Sequence, residues 1–138
     1  MIAVDTNVLA RYYVDDATDA EAVRQRRVAT NFFDSGETVF VSLNVVLEFS
    51  WVVQSYYRFT QAEMLDVVEH LAGIAHVAIE RVTVLEEAVA LTRSGLDFAD
   101  ALHLASASHC KRFVTFDNKS FAKKAAKLKL AIPVVLLR

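Results

Sequence analysis

Short apolar runs recur along the chain, and each is followed by a polar residue and then by apolar positions at helical spacing. Ile2–Val4 reads as a short buried strand, with the first helical turns over Val8–Tyr13 after it. Thr18-Asp19-Ala20-Glu21 has the form of a capping box and opens a helix that Gly36 closes. Val39–Val41 is a β-branched and aromatic run, hence a second strand, and Ser42 then caps a long apolar helix reaching about Tyr57. Thr60-Gln61-Ala62-Glu63 is another capping box, leading Met64, Leu65, Val67, Val68 and Leu71 at helical spacing. Val77–Ile79 is a third strand, and Thr83-Val84-Leu85-Glu86 caps a helix that stops at Ser94-Gly95. A further helix runs from about Phe98 to Cys110, a fourth strand over Phe113–Phe116, a last helix over Asn118–Leu128, and a fifth strand over Val134–Leu137.

Strands that alternate with helices and read as continuous apolar runs imply a parallel sheet covered on both faces. The expected fold is α/β, a three-layer α/β/α sandwich around a central, mainly parallel sheet of four or five strands. Residues 1–138 form one domain by the usual size prior, and no repeat, linker or low-complexity segment divides them. In such sheets, sites form beyond the carboxyl ends of the strands.

Composition narrows the classes. An apolar content of 54% with three glycines and one proline argues against disorder and against a loop-rich all-β fold. The lone Cys110 excludes an intramolecular disulfide framework and fits a reducing, cytoplasmic setting. The opening apolar stretch is interrupted by Asp5 and is too short for a signal peptide, and no run approaches the roughly 18 to 20 apolar residues that span a bilayer. The net charge of −2 hides an asymmetry. Residues 1–110 carry seven Lys/Arg against sixteen Asp/Glu, whereas residues 111–138 carry eight against one. A basic tail beside an acidic body fits a phosphate-bearing partner, although Lys119, Lys123, Lys124 and Lys127 also read as a solvated helix face.

Five carboxylates stand inside or against apolar segments: Asp5, Glu48, Asp97, Asp100 and Asp117. Buried charges are costly unless paired, no lysine or arginine is embedded in the same runs, and a hard divalent cation with oxygen ligands would balance them. Each acid also has an ordinary reading. Asp5 suits a helix cap, Glu48 a snorkelling or salt-bridged side chain, and Asp117 a turn. Asp97 and Asp100, spaced i,i+3, share a helix face, with Asp100 the candidate metal acid and Asp97 its cap or auxiliary partner. His103, three residues after Asp100, reads as a buried structural imidazole.

The segments Val4-Asp5-Thr6-Asn7-Val8-Leu9, Glu48 in its apolar helix, Asp97-Phe98-Ala99-Asp100-Ala101 and Thr115-Phe116-Asp117-Asn118-Lys119-Ser120-Phe121 together resemble PIN-domain ribonucleases. The nearest likeness is to the VapC toxins of VapBC toxin–antitoxin pairs, and it runs from Ile2 to the C-terminus. The resemblance implies a Mg²⁺- or Mn²⁺-dependent endoribonuclease, a homodimer, and an inhibitory VapB-like antitoxin. Matched by position, Asp5, Glu48, Asp100 and Asp117 are its catalytic and metal-binding acids, Asp97 is an additional acid, and Asn7 and Thr115 are supporting polar residues.

Two other readings remain open at this level. One keeps the fold and uses Asp5 as the nucleophile of a phosphoryl-transfer domain, although Asp5-Thr6-Asn7 lacks the second nearby acid that such chemistry employs. The other is a non-catalytic partner-binding α/β domain whose acids only cap helices. An aromatic surplus over Phe32, Phe33, Phe49, Trp51, Tyr56, Tyr57 and Phe59 fits self-association and a protein partner under either the nuclease or the binding reading.

Overall fold

The computed structural model describes all residues, Met1–Arg138, and places them in two compact units, Met1–Val82 and Thr83–Arg138. In the first, β1 (Ile2–Ala3) leads to α1 (Thr6–Tyr13), α2 (Ala20–Asp34), β2 (Val39–Val41), α3 (Leu43–Ser55), α4 (Gln61–Gly73) and β3 (Val77–Ile79). In the second lie α5 (Val82–Arg93, whose first residue closes the first unit), α6 (Phe98–Ser106), β4 (Phe113–Thr115), a π-helical turn (Asn118–Ala122), α7 (Lys123–Ala125) and β5 (Val134–Leu136).

All strand pairings are parallel, as the apolar, non-alternating strands imply. Hydrogen bonds group the five strands as a three-stranded sheet in the order β1-β2-β3 and a pair β4-β5. In the first sheet Ile2 is level with Val39, and Val39 with Val77; in the second Phe113 is level with Val134.

Helices supply most of the buried surface. In the first unit α1 packs on α2 and α3, and α3 on α4. Leu9, Phe33, Val39, Val41, Val46, Phe49, Val53 and Met64 are all fully or almost fully buried. Tyr12 stacks on Phe33 with ring centroids 4.2 Å apart, and Tyr13 meets Phe49 at 5.9 Å. Burial pushes the Tyr13 hydroxyl pKa far up, and that hydroxyl bonds His70 Nδ1 at 2.7 Å. In the second unit Leu85, Ala88, Leu96, Phe98, Ala101, Leu104, Phe121 and Ile132 are buried, with Phe113 and Phe121 edge-on at 5.4 Å.

The helix starts depart from the pattern in instructive places. The Thr60 capping box forms in full, with Thr60 Oγ1 accepting from Glu63 N and Glu63 accepting from Thr60 N. At α2 the cap is Asp19 rather than Thr18, whose hydroxyl instead donates to Asp16. An aspartate adjacent to the first turn caps at least as well as threonine and stands one residue nearer. α5 begins at Val82, so Thr83 lies inside it; Arg81, at φ 49°, turns the chain into the helix two residues early. α6 stops at Ser106, short of Cys110, where serines compete for backbone bonds. The expected last helix is only the π-helical turn and the three residues of α7. Lysines four apart over Lys119, Lys123 and Lys127 repel and weaken a regular helix there.

Two aromatic residues on one helix make the packing testable. Phe49 is 0% exposed, whereas Trp51 is 68% exposed. Phe49→Ala should cost about 3–5 kcal/mol of unfolding free energy. Trp51→Ala should fall within about 0.5 kcal/mol of the parent. Urea denaturation of the two variants reads both numbers.

Candidate acidic site

The ends of β1 to β4 each lead the chain to a polar residue. After β1, Asp5 caps α1, its Oδ1 accepting from Val8 N at 3.2 Å. After β2, Ser42 caps α3 by accepting from Val45 N. After β3, Glu80 Oε1 accepts from Leu43 N at 2.9 Å, adding a second cap to α3. After β4, Asp117 Oδ1 accepts from Ser120 N at 2.9 Å, at the head of the π-helical turn. Asp97 caps α6 through Ala99 N at 3.2 Å.

Within Met1–Val82, Asp5 and Glu48 are linked through the residue between them. Thr6, buried at the first position of α1, donates its hydroxyl to Glu48 Oε1 on α3. That bond ties α1 to α3 and fixes the Glu48 carboxylate, leaving Oε2 as its second acceptor. Thr6 was not singled out from the sequence. The available signal was a small β-branched hydroxyl one residue after a capping aspartate. Asn7 is exposed and, with Asp5, lines a groove of about 780 Å³ between β1, α1 and α2.

Within Thr83–Arg138, Asp97 and Asp117 both come within electrostatic reach of Asp100. Asp100 is half-buried, and its pKa is raised, first by burial and then by the charges of Asp97 and Asp117; His103 and Lys124 partly offset this. Thr115 Oγ1 accepts from Asp117 N at 3.0 Å and so sets the turn that carries Asp117.

Two expectations need correction. Asp5, Glu48, Asp97 and Asp117 are exposed, so the cost of burying charge does not single them out; only Asp100 is partly desolvated. Their runs looked uniformly apolar because the acids occupy the polar side of helix termini and of α3. His103 is exposed rather than a buried imidazole, because it falls on the outer face of α6 between the buried Leu102 and Leu104.

The donor chemistry suits a hard cation: every candidate ligand is a carboxylate oxygen, and the charges of Asp97 and Asp117 oppose ionisation of Asp100. Each capping aspartate commits one oxygen to a backbone N–H and keeps the other. Capping and ligation are thus compatible in the same side chain. No three histidine, cysteine, aspartate or glutamate side chains are gathered into a ready-made cage.

The raised Asp100 pKa sets a pH dependence. Its folded form holds a proton more tightly than the unfolded chain does, so stability contributed by protonated Asp100 is full below the unfolded pKa. That stability is lost as pH rises through the folded pKa. Asp100→Asn should therefore melt at a higher temperature than the parent at neutral pH, without added divalent ions. The difference should shrink towards zero as pH falls through the carboxylate range. Differential scanning fluorimetry across pH checks it; a constant or inverted difference would contradict the repulsion.

No individually curated protein matches the chain. A family match does cover it: residues 2–127 fit the PIN domain, spanning β1 to α7 and all five acids. With its parallel α/β architecture and this match over most of its length, the chain belongs to the PIN domain family.

Proposed function

We propose that this chain is a Mg²⁺- or Mn²⁺-dependent endoribonuclease acting as one domain over residues 1–138, and that it is the cytoplasmic toxin of a toxin–antitoxin pair. PIN domains are generally nucleases, hydrolases that use divalent metal. The observation that carries the reading to particular residues is the half-buried Asp100 facing the charges of Asp97 and Asp117 in a chain of that family.

In this proposal Asp5, Asp100 and Asp117 hold the cation, with Glu48 completing the set and Asp97 contributing as an auxiliary acid. When bound, a divalent ion would polarise the phosphodiester and lower the pKa of the attacking water. The chain's own residues do the positioning. Thr6 holds Glu48 so that Oε2 is the oxygen left to accept a proton from that water. Thr115 fixes the Asp117 turn, and Asn7, exposed and two residues after Asp5, is proposed to support Asp5. The first turns of α1 and α6 are capped by Asp5 and Asp97, so these carboxylates are anchored by backbone rather than by long side chains.

Single-stranded or looped RNA is the expected substrate, because unstacked bases are where proteins reach RNA with sequence preference. The protein partners proposed are a second copy of the chain and a VapB-like antitoxin. Support for a protein-binding surface is the exposure of Trp51 and Tyr56 on and just beyond α3, since large exposed aromatics mark interfaces. No helix is long and apolar enough to cross a membrane.

Purified protein should cleave looped RNA with Mn²⁺ and lose that activity in excess EDTA; equal cutting in EDTA would defeat the metal mechanism. Asp5→Asn and Asp100→Asn should each abolish cleavage, by about 10²-fold or more. Asp97→Asn should be milder, since asparagine caps about as well as aspartate. Equal losses in all three, measured as initial cleavage rates, would give Asp97 a primary role.

The isolated chain should self-associate at micromolar concentration by multi-angle light scattering, and Trp51→Glu with Tyr56→Glu should shift it towards monomer. A parent that stays monomeric with no dye-binding apolar surface would count against both partners.

A further inference from the structure

Beyond the acids, the second unit contains a groove of about 900 Å³ between the π-helical turn, α7 and β5. Lys119, Lys123 and Lys127 line it from the helical segment, and Val134–Leu136 of β5 line it together with Arg138. All four side chains are exposed, none is in an ion pair, and no aspartate or glutamate side chain lines the groove. Folding gives no reason for this arrangement, because like charges spaced i,i+4 weaken the helix that carries them. Arg138 joins the lysines only through the tertiary placement of β5, and both β5 and Arg138 lie beyond residues 2–127 of the family match.

The structure also divides the lysine run. Lys124, adjacent in sequence, does not line the groove and instead acts on Asp100, favouring its ionised form. Lys124 is thus within electrostatic reach of Asp100, whereas Lys119, Lys123 and Lys127 line the groove.

We propose that this groove binds the sugar–phosphate backbone of single-stranded RNA. Lys119, Lys123, Lys127 and Arg138 take phosphates, and the aliphatic side chains of β5 lie against ribose and base. The inference rests on the ribonuclease reading for the identity of the ligand, and it assigns the groove affinity rather than chemistry. A positive channel lined in part by apolar residues suits a single strand of any sequence, since each phosphate is neutralised singly and every base offers an apolar face.

The test is fluorescence anisotropy of a labelled oligouridylate in EDTA across a range of KCl, so that cleavage does not interfere. Relative to the parent, the folded variant Lys119→Gln/Lys123→Gln/Lys127→Gln/Arg138→Gln should bind roughly tenfold or more weakly at low salt. The slope of log affinity against log salt should flatten by about 0.7 per lost phosphate contact. Lys124→Gln should keep the parental slope. Should the fourfold variant fail to fold, the exposed pair Lys119→Gln/Lys127→Gln should still flatten the slope by about 1.4. An unchanged slope in either folded variant overturns the groove, as does poly-glutamate competing as well as RNA, which would make it a site for acidic protein. Cleavage of the same oligonucleotide with Mn²⁺ is scored separately. A parent that binds with the expected slopes but never cuts removes the ribonuclease reading and leaves the groove. A parent that cuts, with variant slopes unchanged, removes the groove alone.

Discussion

Strands of two or three residues impose the constraint on which the rest of this structure depends. A strand so short forms too few ladder bonds to hold a sheet, so the helix that follows must begin almost at once and carry the apolar surface. Its first N–H groups then need an acceptor at the junction. Asp5, Ser42 and Asp117 meet that need after β1, β2 and β4, while Glu80, after β3, accepts from Leu43 N at the start of α3. Polar oxygens therefore accumulate at the carboxyl edges of parallel strands for structural reasons before any chemistry is considered. Those edges are also where α/β proteins place their sites.

The chemistry follows from using carboxylates at these positions where serine or asparagine would cap as well. A carboxylate bound to one backbone N–H still presents a second oxygen and a full negative charge. Asp97 and Asp117 thereby raise the cost of ionising Asp100, and Thr6 adds a buried hydroxyl that fixes Glu48. In the proposed function a divalent cation would offset the charge that Asp97 and Asp117 bring to Asp100. Membership of a family of nucleases gives that electrostatic tension a direction.

Much of this was legible in the sequence because strand and cap signals are local. Val39–Val41 and Val77–Ile79 were readable as strands to the residue, and Ser42 and Thr60 as caps. Where two capping residues stood side by side, as at Thr18-Asp19, the local signal could not choose between them. The apolar runs around Glu48 and Asp117 suggested burial, but period alone does not reveal that these two residues face outward. The lysine spacing looked helical, while the repulsion it implies shows only in the irregular π-helical turn and short α7. Least legible were contacts across the fold: Thr6 to Glu48, Glu80 to α3, and Arg138 in one groove with the lysines. No spacing rule encodes a partner 42 residues away.

The central claim is that these carboxylates serve a divalent cation, and electron paramagnetic resonance of Mn²⁺ titrated into the purified protein tests it most directly. The account predicts saturable loss of the free Mn²⁺ signal with the parent, competition by Mg²⁺, and much weaker binding in Asp5→Asn and Asp100→Asn. A parent that leaves the free Mn²⁺ signal unchanged, or equal saturation in both variants, would contradict it.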